Sequence, residues 1–235
     1  DDLRLLIMSA TLDNARLRQA LPDAPVISSE GRAFPVERRY QPLPSHQRFD
    51  EAVAIATAEL LRQEPGSLLL FLPGVGEIQR VQEQLSSRVG GDVLLCPLYG
   101  ALSLQEQRKA ILPAPVGQRK VVLATNIAET SLTIEGIRLV VDSTQERVAS
   151  FDPRTGLTRL LTQRISQASM VQRAGRAGRL EPGICLHLTS AEQAERAALQ
   201  STPEILQSDL SGLVMDLMQW RCPDPDQLTW LNPPP

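Results

Sequence analysis

Residues 67–89 read SLLLFLPGVGEIQRVQEQLSSRV. The first six, Ser67 to Leu72, are apolar with almost no alternation of polarity, the pattern of a strand buried on both faces. After Pro73 and Gly74 the apolar residues recur at positions 75, 78, 81, 85 and 89, which is the stripe of a helix with one face against a core. The pairing repeats downstream. Val93 to Cys96, Lys120 to Ala124, Ile137 to Val141 and Gly183 to Leu188 are further apolar strands, and Ser103 to Ile111 is a further helix. Uniformly apolar strands separated by helices require a parallel sheet covered on both sides, so the sequence predicts a doubly wound α/β domain. Between Arg147 and Leu161 two runs flank Asp152-Pro153-Arg154-Thr155-Gly156, the signature of a β-hairpin projecting from that sheet. Arg4 to Met8 is expected as one more buried strand, and residues 28–45 form a segment rich in proline, glycine and charge. Pro203 to Trp220 is expected as an amphipathic helix opening another module.

Composition narrows the function classes. The chain has 235 residues, 42% hydrophobic, enough for one substantial domain and a fragment of another. A net charge of −3 from 24 basic and 27 acidic residues gives no overall field for nucleic acid, so any such site must be local. Aromatic residues make up 3%, too few for a base-stacking platform. Cys96, Cys185 and Cys222 lack metal-ligand spacing and are expected as reduced thiols in a cytoplasmic protein, with no metal site. His46 and His187 have no partners at recognisable spacing and receive no role. The longest apolar runs fall far below the ~20 residues that cross a bilayer, so no membrane is implied.

A second stretch carries the chemistry. Residues 172–179 read QRAGRAGR within what would be a helix opening at Ser166. Glycine inside a helix costs about 1 kcal/mol relative to alanine, so Gly175 and Gly178 need a reason to be there. On a continuous helix Gln172, Arg176 and Arg179 lie at i, i+4 and i+7, within roughly 60° of one another. Two guanidinium forks and an amide would then face one way, a stripe suited to a polyphosphate, with the glycines allowing a ligand or a neighbouring domain close to the backbone. Arg173 lies about 100° away and is expected to hold the fold or an interdomain contact. The alternative is a basic segment that binds nucleic acid by charge alone; the apolar strand that follows at once places the stretch in a folded core.

Residues 124–137, ATNIAETSLTIEGI, together with QRAGRAGR, are similar to motifs V and VI of the DEAH-box ATP-dependent RNA helicases, a superfamily 2 family. Ser9-Ala10-Thr11 resembles motif III, LLFLPGVGEI at 69–78 resembles motif IV, and Pro97 to Gly100 with Gln107 resembles the segment after it, all in the family's order. The resemblance implies a RecA-like second helicase domain over residues 39–200. It makes residues 1–38 the end of the first RecA-like domain and the linker, and residues 201–235 the truncated start of a winged-helix module.

Site roles follow from the same resemblance. Gln172 would position the attacking water, and Arg176 and Arg179 would act as arginine fingers, a device worth roughly 10³ to 10⁵ in rate. Ser131, Thr133, Glu135, Ile111 and Gly175 fall on the nucleotide side, Glu135 near the ribose. Ile111 stands where relatives place a phenylalanine on the adenine, which implies weak base discrimination. Thr125, Asn126, Thr130 and Gly74 fall on the RNA side, where small hydroxyls and backbone amides grip phosphates; helix capping is the alternative for the threonines. Ser9, Ala10, Thr11 and Arg173 would couple the domains, with a plain helix N-cap at Thr11 or Asp13 as the alternative.

The chain has no GxxxxGK[ST] loop: Gly178 and Gly183 have the spacing but are followed by Ile184 and Cys185. Asp142 imitates a Walker B carboxylate and is expected to be structural or RNA-facing. The expected cofactor is ATP with Mg²⁺, the metal held by a first RecA-like domain. The expected partners are RNA, bound mainly through its backbone, and that first domain.

Overall fold

The structure is a computed structural model and describes residues 3–8, 14–29, 31 and 33–235. Strands β1 (Val36–Tyr40), β2 (Ser67–Phe71), β3 (Val93–Leu98), β4 (Arg119–Ala124), β5 (Ile137–Asp142) and β8 (Gly183–His187) form one parallel sheet in the order β1-β8-β5-β2-β4-β3. Helix α2 (Phe49–Gln63) and helix α3 (Val75–Ser86) share one core with Leu68, Leu70, Leu72, Val121, Leu123, Val141 and Leu186. The intervening residues Leu69, Phe71, Val122, Ala124, Val140 and Cys185 belong to a second core, with residues of α4 (Leu104–Ile111), α5 (Ile127–Thr130) and α6 (Gln167–Gly175). Successive side chains of a strand point to opposite faces, and here both faces find an apolar layer. The doubly wound α/β expectation is met. The hairpin is β6 (Gln145–Asp152) and β7 (Leu157–Arg164), turning at Gly156 with φ +67°, a conformation that suits glycine.

Local chemistry sets the helix boundaries. Ser103 caps α4 by accepting from Glu106 N while the Glu106 carboxylate accepts from Ser103 N, a capping box that closes two otherwise orphaned donors. At the far end of α4 the Lys120 ammonium is buried against the Ala110 and Leu112 carbonyls, where the helix leaves its acceptors unsatisfied. Arg119 does the same for the end of α2, donating to Leu61 O and Glu64 O at 2.6 Å and to Gly66 O at 2.8 Å.

Four expectations are corrected. Val36–Tyr40 pairs with Gly183–His187, so the boundary expected at residue 38 falls inside a strand of the sheet. Helix α2 lies where no element was expected; it buries Val53, Leu60 and Leu61 together with the small residues Ala52, Ala54, Ala56 and Ala58, which blur its apolar stripe. Arg4 to Met8 is not a strand, and Leu5, Leu6 and Met8 are 74%, 82% and 80% exposed; no strand among the described residues pairs with it. Pro203 to Trp220 is broken into a 3₁₀ turn at Glu204–Leu206 and helix α8 (Ser211–Gln219).

The chain divides into two compact units. One is Arg32–Ala149 with Leu160–Ser201, which contains the six-stranded sheet. The other comprises Asp1–Gly31, Ser150–Arg159 and Thr202–Pro235; within it Phe151 N donates to Gln207 O, and Arg16 Nη1 to Asn232 Oδ1 at 2.6 Å.

Candidate nucleotide and nucleic-acid site

The carboxyl ends of β2 and β4 lie side by side, joined by Leu72 N donating to Ala124 O at 2.8 Å, and the motif-bearing loops leave from there. Open α/β sheets bind ligands at this edge. Gly74 caps α3 after β2, and Thr125 and Asn126 lead from β4 into α5. Asn126 and Thr130 are exposed and Thr125 half-buried; the Asn126 side chain makes no capping bond to α5. Gly74 is buried: a Cβ there would sit 2.3 Å from Arg147 Nη1, whose Nη2 pairs with Glu77 Oε1 at 2.7 Å. Arg147 is a flexible side chain from the hairpin, so the cover over Gly74 is movable rather than fixed backbone.

After α5 the chain runs over residues 131–135 without regular structure, and three contacts tie it to the other motifs. Arg176 donates to Glu129 O and Leu132 O, Arg179 Nη1 donates to Thr133 Oγ1 at 3.0 Å, and Glu135 N donates to Ile111 O at 2.9 Å. These bonds bring the end of α6, the segment 129–135 and the end of α4 into one rim. Ser131, Thr133, Glu135, Gly175 and Arg179 are exposed on it, and Ile111 and Gln172 are half-buried.

The helical stripe through QRAGRAGR is corrected. Helix α6, capped by Ser166, ends at Gly175; Ala177 N and Gly178 N then bond three residues back, a tighter turn. Arg176 turns inward and is 8% exposed, while Arg179 lies beyond the helix on the surface. Burial lowers the Arg176 guanidinium to about 10, with Arg179 repelling it and Glu129 opposing the shift. The two glycines also separate. A Cβ on Gly175 would meet nothing within 4 Å, so the backbone is open to a ligand there. A Cβ on Gly178 would lie 2.5 Å from Phe34 O and 2.7 Å from Val36 Cγ2, so that glycine exists for the packing of β1.

Arg173 is fully buried, which removes it from direct contact with another domain. Its guanidinium lies 2.8 Å from Asp142 Oδ1 and 3.1 Å from Glu129 Oε2, and 4.8 Å from the centre of the Phe71 ring. Asp142 is therefore structural. Burial opposes its ionisation, yet Arg173 and the His187 hydrogen bond hold its carboxyl below the usual carboxylate range. His187 donates from Nδ1 to Asp142 Oδ2 at 2.8 Å, accepts from Arg38 Nε at 3.0 Å, and stacks on Tyr40. Glu129 and this chain of partners carry no spacing signal, because the groups are contributed by β1, β5, α5, α6 and β8.

Ser9, Ala10 and Thr11 lie outside the described residues. Among the described residues no three acidic, histidine or cysteine side chains cluster as a metal site, and no helix is long and apolar enough to cross a membrane.

Residues 51–181 match the family described as the helicase conserved C-terminal domain. Over its whole length the chain is 82% identical to the ATP-dependent RNA helicase HrpB of Escherichia coli strain K12, covering 29% of that protein. It is 38% identical to the probable ATP-dependent RNA helicase DHX34 of Mus musculus, covering 22% of it. A crystal structure of the Escherichia coli DEAH/RHA helicase HrpB superposes with a TM-score of 0.97 over all of this chain and 30% of that one, and a crystal structure of the E. coli DExH-box NTPase HrpB with 0.92 over 29%. The chain thus spans less than a third of the length of these relatives. The family match covers more than half of the chain and coincides with the parallel sheet and its motif-bearing loops, so the chain belongs to the helicase conserved C-terminal domain family.

Proposed function

We propose that this chain is the second RecA-like domain of a cytoplasmic ATP-dependent RNA helicase. A first RecA-like domain would supply the phosphate loop and the Mg²⁺ ligands, and residues 201–235 would begin a winged-helix module. The observation that carries the reading is the rim in which Ile111, Glu135, Thr133, Arg176 and Arg179 are joined by hydrogen bonds, beside the exposed backbone of Gly175. It is half of a nucleotide site: it offers cations and an open backbone, and among the described residues no carboxylate cluster for a metal.

ATP would sit between this rim and the first domain, with Arg179 and Arg176 neutralising charge that develops on the transferred phosphoryl group. Gln172 would orient the attacking water. Thr125, Asn126, Thr130 and Gly74 would hold RNA by its backbone at the adjoining sheet edge. Domain closure and reopening would then move this edge along the strand, with the β6–β7 hairpin as a separator.

In the full-length protein, Arg179→Ala and Arg176→Ala should each lower RNA-stimulated ATP hydrolysis by about 10³ while ATP binding is largely kept. Arg179 is exposed, so its variant separates chemistry from folding. Unchanged turnover in both variants refutes the finger assignment, and equal stimulation by single-stranded DNA and RNA refutes the RNA preference.

A further inference from the structure

Arg176, one of the two candidate fingers, does not face solvent. The hydrogen bonds of its guanidinium go to carbonyls of one short segment, Glu129 O and Leu132 O. That segment begins as α5, four residues long, with Asn126 at its N-cap position and ending on Thr130, two of the nucleic-acid candidates. A four-residue helix has no stability of its own, so its position depends on what grips it from outside. Ala128 anchors it in the second core, and its polar hold on α6 is the Glu129 side chain. Its Oε1 accepts from Ser169 Oγ at 2.8 Å and its Oε2 from Arg173 Nε at 3.1 Å, both donors standing on α6, one of them fully buried.

We infer that Glu129 is a positioning residue that keeps Arg176 withdrawn until a nucleic-acid strand engages the same segment. The inference rests on the helicase reading above. Through its carboxylate Glu129 fixes α5 to α6, and through its carbonyl it occupies the finger. The two carbonyls are neutral acceptors, whereas a phosphate oxygen gives a charged guanidinium a stronger, charge-assisted bond. Arg176 therefore exchanges readily once the segment shifts. A strand bound at Asn126 and Thr130 pulls on a short segment whose polar tie to α6 is the Glu129 carboxylate, and a shift against that tie frees the finger. Nucleic-acid stimulation of hydrolysis is then built into the hold on one arginine.

Glu129→Gln keeps the size of the side chain but removes its charge, so the Arg173 contact loses its charge assistance and Ser169 must turn from donor to acceptor, which loosens the grip. In the full-length protein the RNA-free kcat should rise about tenfold, the factor that ~1.4 kcal/mol of lost hold represents. The rate saturated with single-stranded oligouridylate should stay within a factor of about three, so the stimulation ratio collapses. Ser169→Ala removes the Oε1 contact alone and should shift the ratio in the same direction by about threefold, which keeps the test available should Glu129→Gln fail to fold. If the RNA-free and RNA-saturated rates fall by the same factor in the variants, Glu129 is only a structural residue and the inference is overturned. If the unaltered protein hydrolyses ATP without any response to RNA, the helicase reading itself fails.

Discussion

Replacing Arg173 with methionine is expected to cost far more than any exposed arginine in the same octet. Methionine fills much of the aliphatic volume and keeps contact with Phe71, so the loss is chiefly electrostatic. Asp142 has no exposed surface, and its charge is balanced by the guanidinium at 2.8 Å. Removing one partner of a buried pair leaves an uncompensated charge, a penalty of about 3–5 kcal/mol. The remaining donors to Asp142, His187 Nδ1 and Thr144 N, both at 2.8 Å, place the loss at the lower end of that range. The readout is hydrogen-exchange protection of the β5 and α6 amides in the full-length protein, which reports local opening of this domain rather than unfolding of its neighbours.

Two further measurements make the argument refutable. Adding Asp142→Asn to Arg173→Met removes the stranded charge, so the double variant should be more protected than Arg173→Met alone, a non-additivity of at least about 1 kcal/mol. The pH dependence should reverse. In the unaltered protein the Asp142 carboxyl is held below its unfolded value of about 3.9, so its stabilisation is present above that pH and lost as pH falls through the folded value. In Arg173→Met burial without the guanidinium raises the carboxyl, the folded state binds the extra proton, and the gap between the two proteins narrows on acidification. Additive effects, or a gap that is constant from pH 7 to about 4, would refute the claim that the pair is electrostatic.

The remaining predictions concern neighbouring residues. Gly178→Ala should destabilise the docking of β1 by about 2 kcal/mol or more, since the added methyl meets the Phe34 carbonyl, and melting of the full-length variant checks it. Gly175→Ala should leave stability unchanged or slightly raised, because the site is open and alanine favours helix by about 1 kcal/mol, while raising the KM for ATP. Lys120→Met should leave the Ala110 and Leu112 carbonyls without their donor and fray the end of α4, read as faster exchange there. Burial lowers the Lys120 ammonium to about 8 against an unfolded value near 10.5, so in the unaltered protein this residue makes stability rise with pH between those values; Lys120→Met should flatten that slope.

The parts of the fold legible in the sequence were those with bulky apolar patterns. Ser67 to Leu72 and the stripe through Ile78, Val81 and Leu85 announce a buried strand and a helix covering it, and both stand as expected. Helix α2 was silent because its many alanines blur the stripe of Val53, Leu60 and Leu61, and β1 because Val36–Tyr40, VERRY, is an edge strand with three charged residues in five. Arg4 to Met8 shows the converse error: an apolar run predicts a strand only where a neighbour exists to pair with it. The partners of Arg173 were unreadable for a different reason. Glu129, Asp142, Gln145 and His187 are brought together by sheet order, not by spacing.

QRAGRAGR itself illustrates why residue type and spacing identify a motif more readily than they assign its parts. Five positions in eight residues do four different things. Arg173 neutralises a buried carboxylate, Gly178 lets a strand approach, Arg176 is held by a carbonyl pair, and Arg179 with Gly175 is presented to solvent. A helix continuing to Arg179 could not do this, because it would turn Arg176 and Arg179 to one face. Ending α6 at Gly175 lets the chain send one guanidinium inward and the next outward. The glycines' cost of about 1 kcal/mol each in a helix is then not an expense to be offset elsewhere. It is the reason the helix stops where the two arginines must part.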